Sequence, residues 1–68
     1  MNINLEYYKV FYYVAKAGNI TLAAKELCIS QPAVSQGIKA LENDLDTELF
    51  IRTKRGVKLT QAGETLFH

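Results

Sequence analysis

Between residues 5 and 17, Leu5, Tyr8, Phe11, Tyr12 and Ala15 recur at helical spacing, with Glu6, Lys9 and Lys16 on the other side. The pattern predicts an amphipathic helix whose aromatic face is core, because a small domain needs large side chains to bury enough area. Gly18 and Asn19, which tolerate a left-handed turn, end it. Thr21 is then positioned to cap a short second helix over residues 22–28, its hydroxyl accepting a free first-turn N–H. Leu22, Ala23, Ala24 and Leu27 supply that helix's contacts, and the two alanines let another helix cross closely. Cys28, Ile29 and Ser30 leave room only for a tight turn. Ser30 caps a third helix, and Pro32 falls in its first turn, where a missing N–H costs nothing. Val34, Ile38, Leu41 and Leu45 follow at spacings of four, three and four, so this helix buries one stripe.

Beyond it the period changes. Residues 49–51 and 57–59 are short β-prone pieces, and Gly56 punctuates the basic turn between them, predicting a two-stranded hairpin. Thr60 caps a last helix carrying Ala62, Leu66 and Phe67. No stop signal precedes His68, so the chain reads as a fragment whose last helix continues. The expected fold is mainly α: a three-helix core plus a two-stranded β wing over residues 1–59. Residues 60–68 are the start of a truncated last helix.

Composition narrows the classes. A chain of 68 residues buries only about 60% of its unfolded surface. With 49% hydrophobic residues and one proline, it nevertheless reads as folded. One cysteine excludes an internal disulfide framework and, with one histidine, a zinc site, so no metal or cofactor is expected. That cysteine usage fits a reducing, intracellular setting. The start MNINLEYYK has no signal-peptide pattern, and no apolar run reaches the roughly 18–20 residues of a membrane span, so no membrane partner is expected. An enzyme is the weakest class: His68 is far along the chain from Cys28, and paired carboxylates and a glycine-rich phosphate loop are missing.

The net charge of +1 hides a strong polarity. Glu42, Asp44, Asp46 and Glu48 form a run without a base, and Arg52, Lys54, Arg55 and Lys58 form one without an acid. Charge alone leaves two readings open, solvated surface or a face that attracts a polyanion.

Two helices joined by a tight turn make a helix-turn-helix, which presents the first turns of its second helix to a major groove about 12 Å wide. The same hairpin can serve packing alone, and the outward face favours DNA. It offers Gln31, Ser35, Gln36 and Lys39. Gln31 and Gln36 are the base-reading candidates, since glutamine can bond adenine N6 and N7 together. Thr21, Ser35 and Lys39 suit the DNA backbone, and Thr21 and Ser30 lie beside free helix-start N–H groups that favour a phosphate. Arg52, Lys54 and Arg55 would form a wing on the minor groove or flanking phosphates, with Lys58 merely solvated. The acidic run belongs at the far end of the third helix, away from DNA. A winged-helix module for binding proteins is the rival, and it would need an apolar face here.

The succession AAKEL, SQPAVS, IKALE, LF-x-R and LTQAG closely resembles the N-terminal DNA-binding domain of LysR-type transcriptional regulators, over nearly the whole chain. The resemblance implies a bacterial, cytoplasmic winged helix-turn-helix protein acting on double-stranded DNA. It further implies a homodimer, or a tetramer at full length, paired through the linker helix. A small-molecule effector would bind a C-terminal domain outside this chain. The family's DNA-contact positions fall on Thr21, Gln31, Pro32, Ser35, Gln36, Arg52 and Arg55, adding Pro32 as a contact for a thymine methyl. Asn19 stands where the family usually has serine, a swap that preserves capping chemistry. Asp46 stands in place of the usual glycine, and Cys28 where many such turns have glycine. Gly37 should cost the helix about 0.5–1 kcal/mol against alanine, and it reads as a bare spot on the reading edge.

Overall fold

The computed structural model describes residues 4–68, so the first three residues of the expected 1–59 domain lie outside it. Within that range the elements are α1 (Leu5–Ala17), α2 (Ile20–Leu27), α3 (Gln31–Leu45), β1 (Phe50–Thr53), β2 (Gly56–Leu59) and α4 (Gln61–Phe67).

Asn4 caps α1, its Oδ1 accepting the Glu6 N–H at 2.8 Å, and Gly18 closes it at φ 68°. The buried stripe is Val10, Phe11 and Val14, rotated from the expected one. Leu5 is 80% and Tyr12 40% exposed. The reason is the closeness of the three-helix crossing. Two β-branched valines fit between helices where large aromatics would not, and Gly37 lies directly under Val10. Tyr7, Tyr8 and Phe11 gather instead on the flank of α1 that packs with Leu49, Phe50 and α4. Phe11 is fully buried there, 5.3 Å from the Phe50 ring and 6.4 Å from Phe67.

The cap of α2 is Asn19, not Thr21, and the helix starts two residues earlier than the pattern predicts. Asn19 Oδ1 accepts the Leu22 N–H at 3.0 Å. An extended asparagine right after the Gly18 turn intercepts the chain before Thr21 can act, leaving Thr21 exposed in the first turn. Ala23 and Ala24 are buried as expected, whereas Leu22 points away, 51% exposed. Cys28 takes φ 59° at the end of α2, and the Ile29 N–H reaches back to Ala24 O at 3.1 Å. Asp46 does the same for α3 at φ 53°, with the Thr47 N–H donating to Glu42 O at 3.1 Å. Both are left-handed terminations normally given to glycine.

Ser30 and Pro32 open α3 as the sequence predicts, Ser30 Oγ accepting the Ala33 N–H at 3.2 Å. Val34, Gly37, Ile38 and Leu41 turn inward. Val10, Val14, Ala23, Ala24, Val34 and Ile38 form one buried cluster, and Phe11, Leu41 and Leu49 a second, with Phe50 packed against both. The hairpin is antiparallel, pairing Phe50 with Leu59, Ile51 with Lys58, Arg52 with Val57 and Thr53 with Gly56. Leu49 lies just outside the strand as a core residue, 1% exposed. Thr60 Oγ1 accepts the Gly63 N–H to cap α4 and donates to Glu48 O at 2.7 Å. Ala62, Leu66 and Phe67 of α4 pack on the second cluster.

Candidate nucleic-acid interface

Side-chain direction along α3 sorts its polar residues into two edges. Gln31, Ser35 and Glu42 recur, with Ile38, along the edge facing the hairpin. Pro32, Gln36, Lys39 and Asn43 form an exposed outward stripe, again at spacings of four, three and four. Gly37 belongs to neither. It is buried, and a Cβ there would meet the Val10 side chain at 3.4 Å. The position expected to be a bare spot on the reading edge is therefore a packing site.

The wing-facing edge opens onto a polar cleft of about 420 Å³. Its walls are the start of α2 (Asn19, Ile20, Thr21), the start of α3 (Gln31, Ser35) and the hairpin from Arg52 through Val57. Thr21, Gln31, Ser35, Arg52, Lys54 and Arg55 are thus brought together. Three cations and the exposed starts of two helices share one concavity. That combination suits a phosphate chain, since helix N-termini carry free N–H groups and a partial positive charge.

The remaining candidates lie elsewhere. Gln36 borders a smaller hollow on the opposite flank of α3, with Glu6, Tyr7, Ile29 and Ala33. Lys39 sits at a boundary: it lines one hollow with Ser35 and Arg52, and another with Glu42, Asp46 and Glu48. Ser30 and Pro32 are exposed at the front of α3, the Ser30 hydroxyl already engaged as a cap.

The hairpin tip is the two-residue turn Lys54 and Arg55, held by Thr53. The Arg55 N–H donates to Thr53 Oγ1 at 3.3 Å, and that hydroxyl donates to Gly56 O at 3.2 Å. Just past the tip, Gly56 adopts φ 136° and presses on the α1–α2 turn, with the Val57 N–H donating to Gly18 O at 3.3 Å. Asn19, Thr53 and Asn43 escaped sequence reasoning as possible contacts. Asn43 was detectable as the next step of the outward stripe. Thr53 carried no signal beyond its place before a turn.

A family model for bacterial regulatory helix-turn-helix proteins of the lysR family matches residues 5–64. The chain belongs to the LysR family. It is 46% identical over 65 residues to the nitrogen assimilation regulatory protein nac of Klebsiella aerogenes, covering 96% of this chain and 21% of that one. It is 49% identical over 65 residues to the transcriptional regulator BudR of the same organism, covering 96% of this chain and 46% of that one. The chain therefore spans about a fifth and just under half of these two LysR relatives. A crystal structure of the CbnR DNA-binding domain in complex with DNA superposes with a TM-score of 0.90 at 42% identity, covering 94% of this chain and 74% of that one. The mainly helical winged architecture is that of LysR DNA-binding domains.

Proposed function

We propose that this LysR-family domain reads double-stranded DNA by inserting the front of α3 into the major groove while the hairpin lies on the adjoining backbone or minor groove. The observation that carries the reading is the cleft in which Thr21, Gln31, Ser35, Arg52, Lys54 and Arg55 converge. In this arrangement Gln31 and Gln36 meet base edges and Pro32 rests against a thymine methyl. Thr21, Ser30, Ser35 and Lys39 hold phosphates from the helix side. Arg52, Lys54 and Arg55 hold phosphates or the minor groove from the wing. The acidic end of α3 points the domain, keeping Asp44, Asp46 and Glu48 from the polyanion.

The longer LysR relatives support an extension of the proposal. The protein acts in the bacterial cytoplasm as a homodimer, with α4 leading from the 1–59 domain into the helix that pairs two copies, and a separate domain senses a small molecule. Two such domains would read half-sites about 34–36 Å apart or a multiple of it.

Binding titrations over a salt series test the reading, because neutralised phosphates release counterions and affinity must fall as salt rises. Arg55→Ala should weaken all sequences alike, whereas Gln36→Ala should shift sequence preference. Salt-independent affinity would refute the backbone contacts, and uniform weakening by Gln36→Ala would remove it from the base readers.

A further inference from the structure

One side chain on the wing-facing edge of α3 has no use in phosphate or base contact. Glu42 follows Gln31 and Ser35 along that edge and is half-buried. A carboxylate this close to a polyanion site would by itself lower affinity, so its chemistry has to serve something else. Its Oε2 accepts the Leu49 N–H at 2.7 Å and the Phe50 N–H at 3.4 Å. Leu49 is 1% exposed, so little water is available to replace the carboxylate. Phe50 opens β1, and Arg52 follows on the same strand, lining a hollow together with Glu42 and Ser35. At about 3.3 Å per residue, Arg52 lies roughly 7 Å down the strand from this tie.

We propose that Glu42 is a positioning residue for DNA recognition, its carboxylate fixing how far the wing stands from the reading side chains of α3. The role rests on the DNA-binding reading above. The carboxylate links the helix that carries Gln31, Ser35 and Gln36 to the strand that carries Arg52 and leads to Arg55. A charged oxygen suits two amide donors, because charge-assisted bonds are shorter and stronger than neutral ones. Aspartate in its place would be one methylene too short to reach the strand from the same helix turn.

The test is a set of double-mutant cycles on DNA affinity, measured by anisotropy with a duplex selected from a random pool. Glu42→Ala should weaken binding about tenfold. In that background Arg55→Ala should lose most of its own effect, because a displaced wing no longer delivers the arginine. Gln36→Ala should keep its full effect, and Glu42→Gln, which retains an acceptor oxygen, should recover most of the affinity. If Arg55→Ala weakens binding by the same factor with and without Glu42, the carboxylate supports folding only and the proposal falls. Should Glu42→Ala fail to fold, the same cycle on Glu42→Asp decides the matter by the same criterion. Arg55→Ala without effect in the otherwise unaltered protein would overturn the wing contact itself, and the positioning role with it.

Discussion

Replacing Gly56 with alanine tests how tightly the wing is seated. Gly56 has φ 136°, a region that side-chain-bearing residues rarely enter, and holding alanine there costs about 1–3 kcal/mol. The added Cβ would also stand 2.5 Å from Gly18 O, a backbone atom that cannot rotate away. Relief of that overlap must separate the wing from the α1–α2 turn. The strain of overpacking is about 1–3 kcal/mol. Loss of the Val57 N–H bond to Gly18 O adds about 1 kcal/mol. Together these terms give about 3–7 kcal/mol, against about 5–15 kcal/mol for a whole domain. Gly18 is the internal control. It too is left-handed, at φ 68°, but nothing lies within 4 Å of where its Cβ would be. Gly18→Ala should therefore cost only the conformational term, about 1–2 kcal/mol. Urea melts of both variants, followed by far-ultraviolet circular dichroism, read the difference directly. Two variants within about 1 kcal/mol of each other would refute the seating of Gly56 against Gly18, because the steric part would then be absent.

Gly37→Ala should raise stability by about 0.5–1 kcal/mol and leave DNA affinity unchanged, since a Cβ at 3.4 Å from Val10 is in ordinary contact and faces inward. A loss of sequence preference, measured by competition binding, would return Gly37 to the reading edge. Asn19→Ala should cost about 1 kcal/mol through the lost α2 cap, while Thr21→Ala stays within about 0.5 kcal/mol in the same thermal melts. In binding titrations Thr21→Ala should still weaken DNA association, and equal melting losses for both would contradict the cap assignment. Cys28→Gly should stabilise by about 0.5–1 kcal/mol, because relief of the left-handed strain outweighs glycine's added chain entropy. A lower denaturation midpoint would show that the cysteine side chain makes a compensating contact.

Most of the architecture was legible because its signals are local. Ser30, Pro32 and Thr60 each act where the sequence alone assigns them, and the change of period after Leu45 marks the hairpin. Cys28 and Asp46 stood out as departures from glycine, and they are the non-glycine residues with positive φ among the described ones. What failed were choices between nearly equivalent faces. In α1, two stripes share helical spacing, and it is packing against Ala23, Ala24, Val34 and Ile38 of the other two helices that selects Val10 and Val14 over Leu5 and Tyr12. Asn19 and Thr21 are both good caps, and the Gly18 turn decides between them. Gly37 itself shows the limit most clearly, because a missing side chain carries no mark of which way it would have pointed. Glu42 was grouped with its acidic neighbours by sequence, whereas its partners are backbone amides that no pattern of side chains reveals.

The wing's geometry explains how a chain of net charge +1 could hold a polyanion. Alternation along β1 and β2 turns Ile51 and Lys58, which pair across the hairpin, to its solvent face. Phe50 and Val57 take the inner face and pack on the core, and Arg52 lines the cleft from that same side. Lys58 is thereby directed away from the cleft, and Arg52, Lys54 and Arg55 remain as its cations. With Lys39 added, at most four phosphates would be neutralised per domain by side-chain charge. At a slope of about −0.9 per phosphate, affinity should then change with salt by about the third to fourth power for one domain. So small a number of charges works only if none is wasted on a mobile loop. The Gly18 carbonyl and the Glu42 carboxylate meet that condition. They tie the two strands to the α1–α2 turn and to α3, so on the proposed reading the cleft would be shaped before DNA arrives and little ordering would be left to oppose binding.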